Sequence, residues 1–442
     1  MAFDSEELNK RRERREQLRI KREQQQKRTV IGLIAAAVVL AACAVLIVAV
    51  AVSRRSAAPD ETQPSQSATE QTTTPEQTDS TEPTEQTQPA TQPSGDSTVI
   101  TIAAAGDLNV TDNIVASGGT SFNYVNTFMD VVPLLSDADL TVLNFEGNLC
   151  GHPYGTATAS APQTVIDALR AAGVDMLQMA NSRAVYNGIS GLITTLQNMR
   201  TGGITPIGAY ASEQEYKNSG GYTICNVQGI KVGIVAFTKG MDGMALPAGS
   251  EHCVNLLYTD YSSTYQKVDK DGITKVLRAL QREKPDVTIA LLHWGSEYND
   301  KESDTQKTIK SLMLSEGVDA IIGTHPHYVQ RMEYDEEAGT FVAYSLGDFI
   351  SDAQRAGTEY SVVLKLQITK DHATGQTRIT GYDYTPIFTV AAEDGTVRVV
   401  RLKEAIAAYE NRYIDRVSDK TYSDMVYALS RVEARVNAQA AQ

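Results

Sequence analysis

Apolar and polar positions change their rhythm several times along this chain, and each change marks a boundary. Ile31 to Val52 is an unbroken run of 22 residues, all Ala, Val, Leu or Ile apart from one Gly and one Cys. At 1.5 Å rise per residue such a helix reaches about 33 Å, enough for a hydrocarbon core of about 30 Å. From 56 to about 97 the chain is Ser, Thr, Pro, Gln, Glu and Asp with no aromatic residue. It cannot bury enough apolar surface to offset its ordering entropy, so a disordered stalk is expected. Strands are predicted at 98–105, 139–145, 174–180, 230–237, 286–293, 318–322 and 341–346, and helices near 123–136, 163–172, 189–200, 270–283 and 304–316. The pattern turns β-rich after 358, and 402–440 has helical spacing. This alternation predicts a layered α/β body.

Charge sharpens the division. Residues 1–55 hold 12 basic and 6 acidic residues; with a net charge of −14 overall, that +6 start leaves −20 for the rest. The basic residues precede the apolar run, apart from Arg54 and Arg55. The positive-inside rule therefore puts 1–28 in the cytoplasm as a basic segment, 29–53 across the lipid bilayer as a signal-anchor, and the rest outside the cell. A cleaved signal peptide is the rival reading, against which stands a run longer than a signal core of about 7–15 residues. The stalk then occupies 54–97, the folded body 98–400 and a helical segment 401–442. So acidic a body is a poor counter-ion for phosphate backbones, and no nucleic acid partner is expected.

The residues capable of chemistry fall at the ends of predicted strands. Gly106-Asp107, Asn144-Phe145-Glu146, Ala180-Asn181, His293-Trp294-Gly295 and Gly323-Thr324-His325-Pro326-His327 each close one. In an open α/β sheet the carboxyl ends of strands share an edge where ligands bind. Asp107, Glu146, Asn181, His293, His325 and His327 are therefore expected in one polar cluster. Their hard and borderline donors suit one or two divalent ions of Mn, Fe or Zn. Taken singly, each has a plainer use as a cap, a turn residue or a hydrogen-bonded core group.

Together with Gly188, Gly203, Gly208-Ala209, His293-Trp-Gly-Ser-Glu297-Tyr298, His325-Pro-His327-Tyr-Val-Gln330 and Tyr344-Ser-Leu-Gly-Asp348-Phe349, these motifs resemble CapA-type capsule or poly-gamma-glutamate synthesis proteins. The domain of that family is similar to calcineurin-like metallophosphoesterases, and the likeness covers roughly 98–355. It implies a layered β-sandwich flanked by helices. It also implies a role beside membrane synthase subunits in making, exporting or attaching an anionic extracellular polymer. By position, Glu146 would bridge two metals, Asn181, His293 and His325 would complete one site, and Asp107 and His327 would serve the other. Metals so held polarise phosphoryl or acyl oxygens and generate hydroxide near neutrality.

Two departures from that scheme bear on activity. Asn109 stands where phosphoesterases carry a His, a change common to CapA-type proteins. Arg183 stands where the family has its general-acid His, and Tyr186 where it has an Asp. Arginine stays protonated at working pH and cannot shuttle a proton, which argues for reduced or lost activity. It can grip a carboxylate or phosphate, or merely pair with Asp348 or Glu297. Asp348, in place of a usual Asn, adds negative charge, so Arg183 and Asp348 are the candidates at the catalytic position. Asn109, Glu297 and Tyr298 are candidates for substrate contact, and Trp294, at the rim, is read as a packing platform before a substrate stacker. Three readings follow: a metal-dependent hydrolase or transferase, a non-catalytic polymer-binding scaffold, or a wall-binding module without metal. Of the cysteines after the apolar run, Cys150 and Cys253 are the favoured pair, with Cys225 left over and connectivity open.

Overall fold

Two β-sheets face each other across a shared core, and the chain passes from the first to the second and back. The computed structural model describes residues 96–352, 354–392, 395–411 and 417–438. The basic segment, the apolar run with Cys43 and the stalk up to residue 95 lie outside the described residues. Among the described residues no helix is long and apolar enough to cross a membrane.

In sheet one, β1 (Ser97–Asn109), β2 (Leu140–Glu146), β3 (Met176–Gln178) and β4 (Thr205–Ile207) run parallel, side by side in that order. Sheet two holds β5 (Tyr222–Val227), β6 (Ile230–Thr238), β7 (Val287–His293), β8 (Ala320–Thr324), β9 (Met332–Asp335) and β10 (Thr340–Ala343), in the spatial order β5-β6-β7-β8-β10-β9. The chain then returns to sheet one. There β11 (Asp348–Ile350) pairs in parallel with the end of β1, and β12 (Tyr360–Asp371), β13 (Thr377–Ala391) and β14 (Val397–Arg401) extend the sheet antiparallel.

The apolar runs read along β6, β7 and β8 have their cause in this layering. Every residue of β7 is buried, because both faces of its sheet are covered. Inward, Ile289 and Leu291 join Val232, Ile234 and Ile322 in one core with Ile100 and Ile102 of β1. Outward, Val235, Phe237, Ala290 and Leu292 pack under the helices Lys270–Arg282 and Asp304–Ser315. The first of these helices presents Ile273, Val276, Leu277 and Leu280 as one stripe. Burying each such side chain stabilises by about 1.5–3 kcal/mol. The second begins with a capping box in which Ser303 and Gln306 satisfy each other's backbone N–H. Helices Thr164–Ala172 and Gly188–Thr201 contribute Ile166, Leu169, Leu192 and Leu196 to the core of sheet one.

Some expectations are corrected. The helix near 123–136 is three short pieces, Val125–Phe128, Met129–Val131 and Val132–Ser136, the last opening with Pro133, which has no N–H for a preceding turn. Among its described residues the segment 402–440 holds two helices, Leu402–Glu410 and Asp419–Val436, both contributing to the core through Leu402, Met425 and Val432. The Cys150–Cys253 bridge does not form: Cys150, Cys225 and Cys253 are all free thiols. Cys150 Sγ lies 3.6 Å from Ser160 Oγ, Cys253 Sγ lies 3.6 Å from His252 Nε2, and Cys225 is buried inside β5.

Candidate metal centre

The polar strand ends come together, but at the junction of two sheets rather than along the edge of one. Sheet one brings Asp107 on β1, Asn144 and Glu146 on β2, and Asp348 on β11. Sheet two brings His293 at the end of β7 and the turn after β8 that carries His325 and His327. All seven side chains are buried. The His325 backbone N–H donates to Asp107 Oδ2 at 3.0 Å and so ties the sheets together, while Asn144 Nδ2 donates to Asp107 Oδ1 at 2.6 Å. Gly106 is required for the approach of β1 to the turn before Asp348, since a Cβ there would lie 1.7 Å from the Gly347 carbonyl oxygen. The histidine turn is held in backbone space that L-residues seldom visit, with φ of 92° at His325 and 58° at His327. Such conformations cost of order 1–3 kcal/mol each and persist where their surroundings enforce them, typically at functional sites.

Among the described residues the ligand-type atoms form three overlapping groups, one of them joining the exposed Glu297 to His325 and His327 and the other two wholly buried. Glu146, His293 and His325 present donors within 4.8 Å of one another, and so do Asp107, His327 and Asp348. Glu146 Oε1 faces His293 Nε2 at 3.0 Å as an ion pair but has no hydrogen-bond partner. Both ring nitrogens of His325 are buried without a partner as well. Leaving a buried polar atom unsatisfied costs about 1–3 kcal/mol, so three in one place call for something that binds them.

Charge tells the same story. Burial raises the Asp107 carboxyl above its ordinary range and neighbouring Glu146 adds to this. Burial also pushes Asp348 up to about 7, against the pull of His327, whose Nδ1 is 2.7 Å from Asp348 Oδ1. Burial alone would raise Glu146 too, but His293 beside it holds that carboxyl down at about 2. Burial alone would lower His327, but Asp348, Glu146 and Asp107 together hold it well above the usual imidazole range. Burial, with His293 and Lys239 nearby, keeps His325 well below that range and therefore neutral. A neutral imidazole with its one free ring lone pair, beside crowded carboxylates, is the donor state a divalent cation takes. The donor set, which has no sulfur in it, therefore fits a divalent cation.

The family model described as "Bacterial capsule synthesis protein PGA_cap" matches residues 101–353, more than half of the chain. The chain belongs to this family. Its relatives include the capsule biosynthesis protein CapA of Bacillus anthracis, 26% identical over 293 residues, 62% of this chain and 65% of that one. The PGA biosynthesis protein CapA of Bacillus subtilis is 25% identical over 264 residues, 58% of this chain and 64% of that one. In both cases the match spans less than two thirds of the relative. Among solved structures, a calcineurin-like phosphoesterase from Bacillus subtilis aligns at 17% identity and a TM-score of 0.40, covering 66% of this chain and 90% of that one. A phosphatase from Mycoplasma pneumoniae aligns at 12% identity with the same TM-score of 0.40, covering 66% of this chain and 94% of that one.

In this PGA_cap chain the remaining candidates take distinct places. Asn181 sits beside the cluster as a brace: its Nδ2 donates to Asn144 Oδ1 at 3.1 Å and Phe145 O at 2.7 Å, and its Oδ1 accepts from the Arg183 N–H at 3.0 Å. Arg183 pairs with neither Asp348 nor Glu297. Its Nη1 is 3.0 Å from Asp242 Oδ2 in the loop after β6, and Asp348 is engaged by His327. Asn109 is half-buried and stands in register with Glu146. Glu297 is exposed, and the Tyr298 ring stacks on His327 at 5.4 Å with the Arg355 guanidinium 3.8 Å above it.

Trp294 is not at the rim. It is fully buried, donates from Nε1 to Tyr344 O at 2.8 Å and stacks on that ring at 5.9 Å. Extended backbone sends successive side chains to opposite faces, so His293 turns to the site while Trp294 enters the outer core of sheet two. Sequence reasoning assigned no role to Asn144, Ser182, Lys239 or Asp242. Ser182 Oγ lies 3.1 Å from His293 Nε2. An open cleft of about 280 Å³ beside the cluster is lined by Ser182, Lys239, Asp242, Tyr265, Glu297 and His325. The signal for Lys239 was available: it directly follows β6, the neighbour of β7, and so stands at the same strand ends as His293.

Proposed function

We propose that this protein is anchored in the cell membrane by residues 29–53, exposes its folded body outside the cell, and acts in making, exporting or attaching poly-gamma-glutamate or a capsular polymer. Membership of the PGA_cap family, the names borne by its two CapA relatives, and the basic-then-apolar start of the chain support this reading. Membrane synthase subunits are the expected protein partners. The body works with one or two divalent metal ions, and the observation that carries this is His325, buried with both ring nitrogens unpartnered beside the unpartnered Glu146 Oε1. Glu146, His293 and His325 would hold one ion, and Asp107, His327 and Asp348 a second. A metal ion there supplies polarisation of a phosphoryl or acyl oxygen and an activated water. Around it, Asn144 fixes Asp107, and the His325 amide fixes the other oxygen of the same carboxylate.

Elemental mass spectrometry on the purified full-length chain tests the metal reading. Near-stoichiometric Mn, Fe or Zn is expected, and a Glu146→Ala, His325→Ala double variant that still folds should lose it. A folded wild-type protein that takes up none of the three sinks the hydrolase reading. The second reading, a non-catalytic scaffold, is favoured by Arg183, which cannot pass a proton and is bound to Asp242. Arg183→His separates the two: acquired phosphodiesterase or peptide-hydrolysing activity supports a competent centre lacking its acid, whereas no gain supports the scaffold.

A further inference from the structure

The cleft beside the candidate metal centre contains a cation that no close carboxylate neutralises. Lys239 is fixed at its backbone, where its N–H donates to His293 O at 2.8 Å. Its half-buried side chain donates from Nζ to Gly295 O at 2.9 Å and lies 4.7 Å from the centroid of the Tyr265 ring. Among the described residues no carboxylate stands within 4.0 Å of that nitrogen, whereas Arg183 nearby is already matched by Asp242 at 3.0 Å. An ammonium has three donors, and only one is committed here. A half-buried cation next to histidines, in a place suited to a metal, is costly unless an anion shares the space.

We propose that Lys239 is the anion subsite of this cleft and holds a carboxylate or phosphate group of the substrate beside the candidate metal centre. This rests on the polymer reading above and moves the grip on the polymer from Arg183 to Lys239. A γ-linked glutamate chain offers a carboxylate at every residue, and a phosphate-bearing polymer offers one phosphate per repeat. An ammonium recognises either as a point charge, without the planar fork by which arginine selects.

The test uses full-length, manganese-supplemented protein titrated by calorimetry with a γ-linked glutamate oligomer and, in a separate arm, inorganic phosphate. Wild type should bind at least one of them. Lys239→Met, which keeps an unbranched stem, should bind it ~10- to 100-fold more weakly, with metal content and melting temperature unchanged. A measurement that needs no variant stands beside this one: acetylation read by mass spectrometry should modify Lys239 in the free protein and spare it when the anion saturates. Equal affinity in the folded Lys239→Met variant overturns the inference, as does acetylation of Lys239 that the anion does not reduce. A metal-loaded wild type that binds neither probe overturns it too. Binding that depends on Lys239 in protein devoid of metal supports the subsite while removing the metal reading.

Discussion

Gly106→Ala strikes the framework of the site without touching a candidate ligand. The new Cβ would lie 1.7 Å from the Gly347 carbonyl oxygen and 2.8 Å from its carbonyl carbon. Carbon and oxygen rest about 3.5 Å apart, so the two backbones must separate by roughly 1.5 Å or more. Neither side has a flexible side chain to give way, and the Asp107 N–H to Gly347 O bond of 3.0 Å lies across the same contact. Overpacking costs about 1–3 kcal/mol and the lost buried hydrogen bond about 1 more. A total of about 3 kcal/mol lowers the ratio of folded to unfolded protein by on the order of a hundredfold. Because Asp107 and Asp348 flank the contact, the group they form with His327 should be disrupted before that of Glu146, His293 and His325. Urea unfolding followed by emission of the single tryptophan, the buried Trp294, reads the stability, and elemental analysis reads the metal. Gly381→Ala is the control, since the nearest atom to its Cβ is Gln367 Oε1 at 3.6 Å, and a change within about 0.5 kcal/mol is expected. A Gly106→Ala protein with the wild-type midpoint and metal content would refute the steric argument.

Two further expectations concern the surroundings of the site. The loop that carries Tyr265 is organised by Asp260, whose carboxylate accepts from Thr264 Oγ1, from the Gln266 N–H at 2.9 Å and from the Lys267 N–H at 3.0 Å. The Thr264 bond, with these amides, depresses the Asp260 carboxyl to about 2, so its support is complete above about pH 4 and fades as pH falls through about 2. Hydrogen exchange of the 259–268 peptide, corrected for intrinsic rates, should show protection declining over that window, and Asp260→Asn should lack it at neutral pH; unchanged protection in the variant contradicts this role. For the thiols, burial pushes Cys225 up to about 12, so iodoacetamide at pH 8 should label Cys150 in the native protein and leave Cys225 untouched. Isolation of a Cys150–Cys253 disulfide peptide would contradict the free thiols.

The long strands were readable because β6, β7 and β8 are covered on both faces and carry unbroken apolar runs. Pieces of three or four residues such as β4, β9 and β11 are too short for any period to register. Asp107, Glu146, His293, His325 and His327 were legible for the same reason: each closes a readable strand. Their assembly across two sheets was not, because sheet membership is decided by contacts remote in sequence, and nothing local to β7 marks it as facing β1. Trp294 packs, as read, but inside the outer core rather than at the rim, and its alternation with His293 sufficed to turn it inward. The partner of Arg183 was hidden because Asp242 lies in an irregular loop, with φ of 50°, that no periodic pattern announces.

The pairing of β12 with β1 has a consequence for the order of synthesis. β1 is the first strand of the body to leave the ribosome, yet along Ser97–Ala105 one of its flanks is covered only by β12, made more than two hundred residues later. Until then, that flank presents a row of unsatisfied backbone groups, the feature by which nascent chains stick to one another. Contacts so distant in sequence also form slowly. The newborn chain thus has a long vulnerable interval, and shortened versions made for the laboratory should run through Val436, so that the last three strands arrive to close it and the two helices that pack on the core follow them.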